Sequence, residues 1–126
     1  MDYQRPTSQM LGRFQPLHQG NTELFKRMHA ETGQVIIMIR SMSLSDNNPY
    51  TPSQAINQIK SKLNKFTFGQ DYDIMVVPNI TNIGYGRDVG YSITQYDLGE
   101  EIHSISGTKI RNEGKPRTDD TSEYSD

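Results

Sequence analysis

Gly12-Arg13-Phe14-Gln15-Pro16-Leu17-His18-Gln19-Gly20-Asn21 is the stretch that decides the fold. It follows a short apolar run, Met10-Leu11, and opens onto a helical pattern. Strand–loop–helix junctions of this kind are where α/β proteins hold phosphates. Glycines let backbone approach closely, and a helix N-terminus offers unsatisfied N–H groups at the positive end of its dipole. His18 adds a side chain able to donate to a phosphate oxygen.

Working outward, elements alternate. Residues 10–14 read as a first strand. Gly20 to Thr32 reads as a helix with Leu24, Phe25 and Met28 on one face, stopped by Gly33. Val35-Ile36-Ile37-Met38-Ile39 is a short apolar run rich in β-branched residues, expected as a strand buried on both faces. After the turn residues 46–49, Thr51-Pro52-Ser53-Gln54 forms a helix start: an N-cap, a proline at the first helical position and a capping-box glutamine. Ala55, Ile56, Ile59 and Leu63 share one face of that helix. Ile74-Met75-Val76-Val77 is a third strand, also expected to be buried, ended by Pro78. The glycines at 84, 86 and 90 make the next segment loop-like, with a short strand admissible at 91–96 and a last helix at 106–114. Met28, Met38 and Met75 fit core positions, and His29 and His103 are expected exposed. Strands alternating with helices give βαβ units. The expected fold is α/β: a Rossmann-like, doubly wound parallel sheet, three-layer αβα, as one domain over residues 8–114. Residues 1–7 form an N-terminal extension and 115–126 a disordered tail.

Ligands of such sheets bind beyond the carboxyl ends of the strands. His18 after strand one, Arg40 after strand two, Asn79 after strand three, and Ser106 and Thr108 at the last helix start all fall on that edge.

The first stretch resembles the first signature of the nucleotidyltransferase superfamily, the cytidylyltransferase-like enzymes, which reads Gly-x-Phe-x-Pro-x-His-x-Gly-His. Gly12, Phe14, Pro16, His18 and Gly20 match it, and Asn21 stands where the family has its second His. Ile105-Ser106-Gly107-Thr108-Lys109-Ile110-Arg111 resembles the second signature, Ile-Ser-x-Thr-x-Ile-Arg. The resemblance implies a Rossmann-like fold and transfer of a nucleoside monophosphate, AMP or CMP, from ATP or CTP to a phosphorylated small molecule. It implies His18 at the α-phosphate and Gly12, Arg13, Phe14 and Gly20 around the nucleotide. Ser106 and Thr108 would meet the β- and γ-phosphates, with Arg111 and position 21 catalytic. Arg40, Asn79 and Arg87, the last in a Gly-rich loop, are candidate substrate contacts. Mg²⁺ is expected on the triphosphate, held by phosphate oxygens and water rather than a protein cage. The Gly-Arg-Phe-Gln-Pro form is similar to nicotinamide mononucleotide adenylyltransferases. The length is more like glycerol-3-phosphate cytidylyltransferases, and 33–111 also resembles a domain found beside adenylylsulfate kinases. Base and acceptor stay open. Because Asn21 is a neutral and weaker donor than His, a non-catalytic nucleotide-binding module of the same fold is the alternative.

Composition narrows the rest. The chain has 126 residues, 33% hydrophobic, enough for one core. Its net charge is −2, and the tail, with two basic and four acidic residues, accounts for it, leaving eleven of each sign in the body. That balance argues against nucleic acid and membrane surfaces as partners. There is no cysteine, which excludes disulfides and thiolate chemistry. The first residues hold no apolar signal core, so a cytoplasmic protein is expected, with a homo-oligomer admissible.

Overall fold

The computed structural model describes residues 1–87, 90 and 92–96. Five elements follow in order: β1 (Ser8–Gly12), α1 (Gln19–Thr32), β2 (Val35–Arg40), α2 (Pro52–Lys62) and β3 (Tyr72–Val77). The strands form a parallel sheet in the order β1-β2-β3, with Met10 beside Ile37 and Ile37 beside Ile74. This is a small Rossmann-like α/β unit.

Both crossovers step across the sheet in the same direction. Right-handed connections then place α1 and α2 on the same face. The core agrees. Phe25 and Met28 of α1, Ala55 and Ile59 of α2, and Met10, Val35, Ile37, Ile39 and Tyr72 of the strands form one buried cluster. Phe25 meets Phe66 and Tyr72 edge-on, at centroid distances of 4.9 and 5.7 Å.

The other face carries the row Leu11–Met38–Met75. Neither helix covers it, which corrects two expectations. Met75 is 47% exposed rather than a core residue, and β3 is not buried throughout. In β2, Val35, Ile37 and Ile39 are buried while Ile36 and Met38 are partly exposed. The described residues thus supply one βαβαβ half of a doubly wound sheet. Residues 92–96 form no strand. The last helix expected at 106–114, with His103 and the tail, lies outside the described residues.

Helix ends follow their local chemistry. Thr51 caps α2 by accepting from Gln54 N–H at 3.2 Å, and the Gln54 side chain accepts from Thr51 N–H at 2.8 Å. Gly33 ends α1 in the left-handed region at φ 82°, with its N–H on His29 carbonyl oxygen. His29 is not exposed as expected. It is half-buried, stacks on Phe25 and meets Asp71 at 3.1 Å.

Residues 1–7 are tied to the amino end of the sheet by Gln34, which is buried. Its side-chain amide donates to the Asp2 carbonyl at 2.6 Å and to Thr7 Oγ1 at 2.7 Å, and its oxygen accepts from Asp2 N–H at 3.2 Å.

Candidate functional site

β1 stops at Gly12, two residues earlier than the apolar pattern suggests, because the backbone turns. Phe14 adopts φ 52° and the Gln15–Pro16 peptide is cis. A bulky residue at positive φ costs on the order of 1–3 kcal/mol and persists only where its surroundings hold it. Here the ring is fully buried in the core cluster. Phe14 therefore anchors the loop that leads into α1. The residue the motif marks for the nucleotide serves first to shape the backbone.

The loop is unusually rich in buried polar groups. Arg13, Gln15, His18 and Asn21 are each at most 8% exposed. The Gln15 side chain donates to the Tyr50 carbonyl at 3.0 Å and accepts from Tyr50 N–H at 2.9 Å. This two-bond clamp joins the loop after β1 to the loop that starts α2. Lys62 Nζ donates to the Leu17 carbonyl, seating a cation next to His18. Neither Gln15 nor Lys62 was singled out from the sequence. Gln15 stands inside the motif and could have been; nothing local marks Lys62.

His18 is the N-cap of α1, with extended backbone at φ −123° and ψ 179°. Its Nδ1 accepts from Asn21 N–H at 3.4 Å, and Asn21 Oδ1 accepts from His18 N–H at 3.0 Å. Nδ1 thus serves as the cap acceptor of α1. The first turn of α1 holds no acidic side chain of its own to offset its positive dipole end. Buried Gly20 sits one residue inside that turn.

At the same edge of the sheet, Arg40 ends β2 and Asn79 follows β3. Arg40 Nε and Nη2 both donate to Asn79 Oδ1, at 3.3 and 3.0 Å. The pairing predicted to share one edge is therefore brought into contact. Arg87 is exposed in the irregular segment after β3. Lys26 lies exposed beside Glu23 at 3.7 Å. Ser106, Thr108 and Arg111 lie outside the described residues.

No protein-family model matches the chain, and no solved structure matches it significantly. A nicotinamide-nucleotide adenylyltransferase of Methanococcus aeolicus is 27% identical over 126 aligned positions, which cover 92% of this chain and 70% of that protein. The chain is thus similar over most of its length to a nucleotidyltransferase. The match runs well beyond the two signatures, so the nucleotidyltransferase resemblance does not rest on short motifs alone. No helix among the described residues is long and apolar enough to cross a membrane.

Proposed function

We propose that this chain is an adenylyltransferase that moves AMP from ATP to the phosphate of a mononucleotide acceptor of the nicotinamide type. An acceptor phosphate oxygen attacks the α-phosphorus of ATP. A new P–O bond forms, the bond to the β-phosphate oxygen breaks, and pyrophosphate leaves. Such a reaction needs positioning and charge stabilisation more than a protein nucleophile.

The observation that carries this reading is His18, buried at the N-terminus of α1 with Nδ1 accepting from Asn21 N–H. It would donate to the α-phosphate as charge builds. The backbone N–H groups around Gly20 would add to it, and Gly12, Arg13 and Phe14 shape the loop beneath the nucleotide. Arg40, oriented by Asn79, would meet the acceptor phosphate, with Arg87 at its margin. Ser106, Thr108 and Arg111 would take the β- and γ-phosphates on the strength of the second motif. Among the described residues no three His, Cys, Asp or Glu side chains are grouped to hold a metal. A Mg²⁺ ion would ride on triphosphate oxygens and water, and when bound would neutralise phosphate charge. The adenylyl choice rests on the Gly-Arg-Phe-Gln-Pro form and on the named relative.

The test is a pyrophosphate-release screen with Mg²⁺, pairing ATP and CTP with phosphorylated acceptors that include nicotinamide mononucleotide and glycerol 3-phosphate. Release with ATP and a mononucleotide is expected. Release only with CTP would move the chain to the cytidylyl class. Nucleotide binding without release under any pairing would favour a binding module.

A further inference from the structure

We infer that Gln15 is a positioning residue: its side chain fixes the His18 loop against the segment that leaves β2 at Arg40, and so sets the approach of acceptor to nucleotide. The inference deepens the function proposed above and rests on His18 and Arg40 serving the two substrates.

A primary carboxamide offers an acceptor and a donor side by side, as a strand residue does. Gln15 uses both on one residue. Its Oε1 accepts from Tyr50 N–H at 2.9 Å and its Nε2 donates to the Tyr50 carbonyl at 3.0 Å. Two residues exchange the same reciprocal pair across an antiparallel ladder. Here a side chain makes it, between loops 35 residues apart. Gln15 is buried, so little water competes for these bonds, and removing the amide would strip a partner from both Tyr50 groups.

Both pieces that the clamp joins are braced. On the far side, Ser41 N–H donates to the Val77 carbonyl at 2.9 Å, and Ser45 and Asn48 exchange backbone hydrogen bonds at 3.1 Å each. Tyr50 then runs into the Thr51 cap of α2. The path from Arg40 to Tyr50 is thus tied to β3 at one end and to a helix start at the other. On the near side, Phe14 is buried in the core and His18 caps α1. Gln15 lies between them and links this loop to the Arg40 side. Transfer needs the attacking oxygen and the α-phosphorus about 3–3.5 Å apart and in line, and a misplacement of about 1 Å can cost on the order of 10²-fold. A side chain that fixes this spacing acts on the chemical step more than on the affinity for either substrate.

Two variants and two measurements test it. Gln15→Met removes both bonds with little change in volume. Gln15→Glu keeps the acceptor for Tyr50 N–H and removes the donor. The first measurement needs no turnover: amide hydrogen exchange and backbone NMR, with and without MgATP. Tyr50 N–H should exchange at least about tenfold faster in Gln15→Met than in the wild type and stay protected in Gln15→Glu. Shifts caused by MgATP should reach Ser45, Asn48 and Tyr50 in the wild type and stop within the loop in Gln15→Met. The second measurement is pyrophosphate release. In Gln15→Met, kcat should fall about ten- to a hundredfold, with KM for ATP and for nicotinamide mononucleotide each within about threefold of wild type. Gln15→Glu should fall between the two proteins, and it carries the test if the methionine variant does not fold. Tyr50 protection or MgATP shifts at Ser45 to Tyr50 that survive Gln15→Met would overturn the inference. So would an unchanged kcat, or a loss expressed in KM alone. If the wild type releases no pyrophosphate with any acceptor, the proposed function fails, and the exchange and MgATP shifts still decide whether Gln15 ties the two loops together.

Discussion

The two ends of the sheet both bury polar side chains, yet they use them differently. At the amino end, Gln34 spends its amide on Asp2 and Thr7, and His29 meets Asp71. Those groups join residues 1–7 to the sheet and α1 to the start of β3. At the carboxyl end, Gln15 and Lys62 hold the loop between β1 and α1, and that loop presents His18 at a helix N-terminus with no acid in its first turn. The first arrangement is closed on the protein. The second sets a helix N-terminus and the His18 ring at the carboxyl ends of the strands. Buried polarity alone does not mark a site; its placement at the carboxyl ends of parallel strands does.

The largest expected effect lies at the carboxyl end. His18→Asn keeps a side chain able to cap α1 but removes the ring donor. Turnover should fall roughly 10²–10³-fold, while ATP affinity and thermal stability change little. Steady-state kinetics beside calorimetry would show this. Unchanged turnover would remove His18 from the chemistry and erase the contrast between the ends.

Next is Arg111, in the second motif. Arg111→Ala should narrow the preference for ATP over AMP by about 1.5–3 kcal/mol, the size of a hydrogen bond to a charged group. Equal losses for both nucleotides, measured by calorimetry, would place Arg111 away from the β- and γ-phosphates.

The mirror experiment is at the amino end. Gln34→Met removes the clamp on residues 1–7 with little change in volume. It should lower stability by about 1–3 kcal/mol in urea unfolding and leave kcat unchanged. A fall in kcat at equal fold population would mean that the ends are coupled.

The smallest effect is the pH response of Asp71. The backbone N–H of Thr67, and then His29, hold its carboxyl below the ordinary 3.8, against a desolvation that pushes it up. Because the folded group titrates lower than the unfolded one, its contribution is present above pH 3.8 and is lost as pH falls below that value. Asp71→Asn should flatten this acid limb of the stability curve. A limb that is unchanged would assign it to other carboxylates.

Much of this fold was legible because it rests on local chemistry. The run 35–39, the Thr51-Pro52-Ser53-Gln54 start and the Gly33 stop each depend on a few adjacent residues. Strand starts were less visible. Ser8 belongs to β1 because its backbone pairs beside Val35 and its N–H donates to the Gln34 carbonyl at 3.1 Å, and Asp73 sits in β3 on the face away from the helices. Met75 looked like core because hydrophobicity does not report which face of a sheet is covered. At the site, the motif marked His18, but not why its ring is oriented. The ring meets the Asn21 backbone N–H, and the loop that carries it is shaped by Phe14 at positive φ and held by contacts from Tyr50 and Lys62 more than thirty residues away.

The most direct test of the contrast between the two ends is a titration of the labelled protein with MgATP, followed by backbone amide NMR. Shifts are expected at Gly12 to Asn21, strongest at His18, Gly20 and Asn21, and at Arg40 and Asn79. Gln34, His29 and Asp71 should stay in place. Shifts centred on the amino end, or spread evenly over both ends, would contradict the account.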